Sequence, residues 1–338
     1  MSLAQATTAP QASQPPLLDD ADDDLQALAP RLTDDDATVR RLALIELAEL
    51  EDPAHVPWLL HALHDTDAAV RAEAAGRLAY WEDEATVAAL VRTLEDTEPT
   101  VREAAAHSLG ELKQPASAEA LLLAADHAQP FVRASALRAL RELRLPAAFE
   151  PALRGLADAE ASVRLEAVGV LGWLKREEAL PGLAALAGTD PDADVRRAAV
   201  GALGFAPAAG VAVLPALLTA TRDQAWQVRE EAATTLGKLR LGGAFQPLLD
   251  LLDDGWWQVR LRAARALGQL GSAHNVPAVP ALTRLLTESI ANLRKEAVIA
   301  LGETRHESAL PAVRLAAEDP DPEVRKVARL ALSQLGGA

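Results

Sequence analysis

The sequence predicts an all-α fold, a stack of about ten helix–turn–helix repeats. Three observations lead there. A Val-Arg pair recurs at Val39, Val70, Val101, Val132, Val163, Val195, Val228, Val259 and Val324, with Leu293 substituting once, at intervals of 31 to 34 residues. So steady a period means one small supersecondary unit stacked many times. Half the residues are apolar but only 3% are aromatic, the Ala/Leu-rich profile of packed helices. No strand-like alternation of Val, Ile and Thr occurs.

Within each repeat the alignment on the anchor assigns a task to each position. An Arg follows the anchor in every copy, from Arg40 to Arg325. Ala stands at +4 (Ala43 through Ala328) and Leu at +8 (Leu47 through Leu332). Apolar residues at 0, +4, +5, +8 and +11 share one helical face, so a helix runs from the anchor to about +11. The unvarying Ala marks a place too close to a neighbouring helix for a larger side chain. An acid stands five residues before the anchor in nine copies; His127 fills the slot in the fourth. An Asp there is expected to cap the helix. Acids and arginines at one spacing also suggest a ladder of ion pairs from each repeat to the next.

Shorter partner helices are expected before the anchors, as in 54–63, 84–94, 147–157 and 311–317. Pro53 and Pro207 are expected at helix starts, where Pro is tolerated. Gly at +9 (Gly110, Gly172, Gly204, Gly237, Gly268, Gly302) is expected to let the chain turn or helices approach closely. Residues 1–19 read as a flexible tail and 20–338 as one ten-repeat solenoid. The tail and first turn carry eight Asp against one Arg up to residue 36, within a net charge of −16.

The pattern D-x-[DE]-x-x-VR-x-x-A-x-x-x-LG-x-L resembles the HEAT-like repeat of the phycobilisome-lyase type, over about residues 20–336. The resemblance implies a right-handed α-α superhelix whose second helices line a concave face. It also implies a choice between a scaffold without chemistry and a lyase-like or chaperone-like factor that holds a client protein during maturation. Deoxyhypusine hydroxylases resemble this fold and hold two irons through four His-Glu pairs, but only His306-Glu307 matches. The HEAT-like alkylpurine DNA glycosylases use a basic groove, which a charge of −16 does not favour.

The remaining chemistry is sparse. His55, His61 and His64 fall within ten residues, yet only the last two share a turn, and a metal needs a third ligand. With no Cys, neither disulfides nor thiolate metal sites arise. No catalytic constellation, cofactor motif or metal-ligand spacing stands out, so no cofactor is expected and no catalytic residue is assigned. No eighteen-residue apolar run and no secretory signal is present, which places the chain in the cytoplasm by default.

Binding residues are sought on the helix face opposite the buried stripe, at +2, +3, +6 and +10. These positions carry ten acids and eight bases, so the face is mixed in sign and suits a protein or peptide rather than nucleic acid. Three aromatics stand at +10: Tyr80, Trp173 and Phe205. In those copies alone +6 is Gly (Gly76, Gly169, Gly201). A ring at +10 leans back over +6, where Gly would let it lie flat. Trp173 and Phe205, in adjacent repeats, are expected to form a shelf edged by Glu166, Arg197, Glu230, Glu231 and Arg262. A second group, Trp226, Trp256 and Trp257, falls in the turns before the anchors of repeats seven and eight. It reads either as a contact rim or as a turn closed by Trp226 packing on Trp257.

Overall fold

Every anchor helix begins two residues before its anchor, from Ala37–Glu49 in the first repeat to Pro322–Gly336 in the last. The computed structural model describes residues 16, 23–115, 118–207, 212–270 and 272–336. The expected tail, 1–19, lies outside these residues except for Pro16, and so do Asp20 and Asp22. Among them there are 20 α-helices, and no strand. Pro99, Pro130 and Pro322 occupy the first helical position, where a missing N–H costs nothing. Pro207 ends one described stretch, and the next helix begins at Leu214.

The chain divides into two compact units, residues 1–155 and 156–338. The first holds repeats one to four and the partner helix Phe149–Gly155. The second begins with the anchor helix Ala161–Leu174 and continues through the tenth repeat. Partner helices are short, such as Val56–Ala62 and Leu310–Ala316, and several are led in by a 3-10 turn, as at Pro53–His55.

Burial follows the repeat pattern. All ten alanines at +4 are fully buried, and so is Leu at +8 in the first nine repeats. Leu332, in the tenth, is half-buried. Buried hydroxyls tie adjacent anchor helices together: Ser108 Oγ donates to the Ala75 carbonyl at 2.8 Å and Thr235 Oγ1 to that of Val200 at 3.3 Å.

The arginine ladder is present, and each rung is a clamp. Arg164 donates from Nε and Nη2 to the Asp190 carboxylate at 2.6 and 2.9 Å, and from Nη1 to the carbonyls of Asp158 and Ala159 at 2.8 and 2.9 Å. One side chain therefore binds its own inter-helix turn and the next repeat's acid. Arg40–Asp65, Arg71–Asp96, Arg196–Asp223, Arg229–Asp254 and Arg294–Asp319 repeat the arrangement. Where the acid is Glu288 the rung loosens: Arg260 reaches it at 3.4 Å, and Arg260 Nε is buried without a hydrogen-bond partner. Where His127 replaces the acid, Arg102 lies over the Phe131 ring, 5.7 Å from its centroid.

Two local expectations need correction. The acid at −5 is not the helix cap. Its carboxylate accepts from the N–H two residues on, as Asp65 does from Asp67 at 2.8 Å. The cap is that next residue: Asp67 accepts from Ala69 and Val70. Likewise Gly at +9 does not turn the chain. The left-handed residues stand at +12 and are not glycine: Glu51, Arg144, Lys175, Arg240 and Arg305. The other expected role, close approach, holds at Gly172, Gly237, Gly268 and Gly302, where a Cβ would crowd an alanine of the next anchor helix, whereas Gly110 has open space around it. A Cβ on Gly237 would meet Ala266 at 2.8 Å, and one on Gly268 would meet Ala300 at 2.9 Å.

Candidate functional site

The second unit carries the expected shelf residues near the C-terminal ends of successive anchor helices. Trp173 stands in the last turn of Ala161–Leu174 and is 43% exposed. Phe205 closes the 3-10 turn Leu203–Phe205 and is half-buried. In the first unit Tyr80 ends the matching turn Leu78–Tyr80, 78% exposed and edge-on to Trp81 at 6.4 Å.

Gly76 and Gly201 do not work as expected. Nothing lies within 4 Å of a Cβ built on Gly76, so the Tyr80 ring does not rest there. A Cβ on Gly201 would come 2.9 Å from Glu231 Oε1, so that glycine admits the next repeat's carboxylate. The helices of both copies stop at +7 and tighten into a 3-10 turn, with about three residues per turn, which swings +10 away from +6.

The charges beside the shelf divide into pairs. Glu166 is buried, at 6% exposure, and does not offer the surface charge expected of it. Arg197 faces Asp194 at 3.5 Å, and Arg262 donates to Glu230 at 3.1 Å. Burial pushes the Glu231 carboxyl above the usual glutamate range; Glu230 adds to this, against Arg197, Arg262 and Lys238. Asp194, Arg197, Glu230, Glu231 and Arg262 line an open cavity of about 400 Å³.

The rim tryptophans do meet, in a different pairing. Trp226 and Trp257 open the helices Trp226–Leu239 and Trp257–Gln269, and Trp256 is the residue before the second. Trp226 stacks on Trp256, with centroids 5.1 Å apart and planes 18° apart, rather than on Trp257. Trp256 leads into its helix with an extended backbone, which places its ring over the preceding repeat's helix start. It stays 49% exposed.

The histidines take structural places. His55 is buried. His61 and His64 line a cavity of about 500 Å³ in the first unit with Asp34, Arg40 and Asp65. Burial, then the neighbouring His64, lowers the His61 pKa. No group of three or more ligand-type side chains gathers to hold a metal among the described residues. His306 caps the short turn Glu307–Ala309, its Nδ1 accepting from the Ser308 N–H at 3.2 Å.

One feature escaped the sequence reading. Lys238, Arg240, Arg262 and Arg265 line one cavity of about 430 Å³ between anchor helices seven and eight. The signal was available as four bases at +10 and +12 of one repeat and +3 and +6 of the next.

The family model described as HEAT repeats matches residues 25–79, 62–141, 119–204, 190–268, 214–291 and 279–338. No curated protein matches the chain. Among solved structures, an engineered protein is similar at 23% identity and a TM-score of 0.56, covering 93% of this chain and 99% of its own. Importin beta is similar at 18% identity and a TM-score of 0.60, over 92% of this chain and 50% of its own. Kap95p, whose binding to RanGDP that structure describes, is similar at 16% identity and a TM-score of 0.64, over 92% of this chain and 49% of its own. The chain thus spans about half the length of these last two proteins, and the likeness is one of fold.

Proposed function

The chain belongs to the HEAT repeat family, and on that premise we propose that it is a non-catalytic scaffold that binds a protein or peptide partner. The observation that carries this reading is Trp173, 43% exposed near the end of one anchor helix, with Phe205 at the matching position of the next repeat, in a unit where Arg197, Glu230, Glu231 and Arg262 line an open cavity. A large apolar side chain in water, rimmed by mixed charge, suits a protein surface better than a polyanion. The stacked Trp226–Trp256 pair is a second contact in this reading, and Tyr80 a third. Residues 20–338 are read as one run of repeats, as their period suggests. HEAT solenoids commonly mediate protein–protein interaction, and Kap95p, similar in fold, binds RanGDP.

No described helix is long and apolar enough to cross a membrane. With a net charge of −16, duplex nucleic acid is not the partner in this reading. The phycobilisome-lyase-type spacing favours one further reading, a maturation factor that holds a client while a cofactor is attached.

A pull-down with mass spectrometry tests the first reading, wild type against Trp173→Ala/Phe205→Ala. The double variant should fold normally and bind its partner about 2–4 kcal/mol more weakly, as expected for central aromatic anchors. Undiminished binding sinks the shelf. A captured client that carries a covalent cofactor favours the maturation reading.

A further inference from the structure

The cavity between anchor helices seven and eight is an anomaly in a chain of charge −16. Its charged lining is entirely basic: Lys238, Arg240, Arg262 and Arg265, with Thr234 and Gln269 as neutral donors. Two of these cations are already aimed. Arg262 spends its Nε on Glu230, and Arg265 lies 3.3 and 3.2 Å from Glu296 and Glu303. A guanidinium has five N–H donors, so these carboxylates orient the two arginines and leave further donors open. Lys238 and Arg240 are exposed and form no ion pair among the described residues.

The cavity also continues the shelf. The residues at +10 in repeats five to eight are Trp173, Phe205, Lys238 and Gln269. The Lys238 ammonium lies 3.1 Å from a Cβ built on Gly204, the neighbour of Phe205. An apolar step therefore passes directly into a cationic one along a single row.

We propose that this cavity is an oxyanion pocket, and that the partner segment held by the Trp173–Phe205 shelf is an extended acidic peptide whose carboxylate or phosphate sits among Lys238, Arg240, Arg262 and Arg265. The inference rests on the shelf reading above and names the chemistry of its partner. Adjacent helices pack about 8–10 Å apart and an extended chain advances about 3.4 Å per residue, so the acid follows the apolar anchor by about three to six residues. Oriented guanidiniums suit planar carboxylate and phosphate groups, whereas a basic peptide meets like charge.

The test is fluorescence anisotropy with the full chain and three labelled peptides: LALAADAD, LALAAKAK, and LALAASAS with both serines phosphorylated. The aspartate peptide is expected to bind about tenfold more tightly than the lysine peptide. Tighter binding of the phosphopeptide than of the aspartate peptide identifies phosphate as the preferred oxyanion, and the reverse identifies carboxylate. Lys238→Glu/Arg240→Asn, both on the surface, should abolish the preference while leaving the thermal midpoint unchanged; Lys238→Gln should halve it or more if the double variant unfolds. Equal binding of the acidic and basic peptides overturns the pocket. If Trp173→Ala/Phe205→Ala then weakens both peptides alike, the shelf survives without the pocket. Absence of binding by all three sinks both.

Discussion

At the scale of the residue, the invariant arginine explains itself through the number of groups it satisfies. Arg164 makes four hydrogen bonds with one planar fork, two to Asp190 and two to the carbonyls of its own turn. Lysine has the charge but not the fork, so it could not span both partners. Arg164 and Asp190 are 8% and 5% exposed, and truncating one strands the other away from water. Arg164→Ala should cost about 2–4 kcal/mol of stability. Arg41 is half in solvent where it meets Glu73 at 3.0 Å, and Arg41→Ala should cost at most about 0.5 kcal/mol. Urea denaturation of both variants decides the matter, and equal midpoints would remove the clamp as an explanation for the arginine.

At the scale of the element, the helix ends separate two kinds of glycine. Gly237 meets Ala266 of the next anchor helix, and an added Cβ would sit 2.8 Å from its Cα, a backbone atom that cannot yield. Gly237→Ala should destabilise by about 1–3 kcal/mol. Gly76 has open space around it within the helix Ala68–Arg77, so Gly76→Ala should stabilise by about 0.5–1 kcal/mol through restricting the unfolded chain. Thermal melts of the pair should move in opposite directions, and a Gly76→Ala chain that melts lower would revive a packing role for that glycine. The true chain reversal is the left-handed residue at +12, as at Lys175 with φ 54°. That conformation is strained for any residue with a Cβ, by about 1–2 kcal/mol. Lys175→Gly should therefore raise stability by up to about 1 kcal/mol, its entropy cost offsetting part of the relief.

At the scale of the whole molecule, many carboxylates with shifted pKa values give stability a defined pH dependence. Burial pushes Asp65, Asp96, Asp190, Asp223 and Asp254 up, but the arginine hydrogen bond, a backbone N–H and the guanidinium charge outweigh it. Each is left below the ordinary range, as is Asp319, where the Arg294 bond is the largest influence. A folded value below the unfolded one, about 3.9, gives stability that is fully present above that pH and lost as pH falls through the folded value. Glu231 and Glu296 act the other way, raised chiefly by burial. Their contribution is complete below about pH 4.3 and lost as pH rises through their folded values. Denaturation midpoints should thus climb slightly from neutral into mild acid and fall steeply below about pH 4. Glu231→Gln should flatten the climb and leave the fall intact; a fall that begins at pH 6 would point away from the aspartate ladder.

The fold was legible in the chain because a repeat writes each constraint many times. Ala43 alone says little, but ten alanines at one register announce a helix contact, and each is fully buried. The ladder was legible for the same reason, since an acid and a base at fixed offsets can meet in only one way when units stack. What departed from the expectations lies where a side chain's fate depends on the neighbouring repeat rather than on its own helix. Glu166 shares its helical position with Glu231 and Glu296, yet it is the one buried to 6%. Trp226 chose Trp256 over Trp257 because an extended residue before the helix reaches back across the turn, which spacing alone does not register. Lys238, Arg240, Arg262 and Arg265 are scattered over 28 positions, and only the packing of two anchor helices gathers them around one cavity. By itself the sequence determined the elements and their stacking, because periodic burial is a property of one chain's own pattern. The tertiary structure decided which groups on the open face come together, because that depends on helix ends and inter-helix distances that a period does not encode.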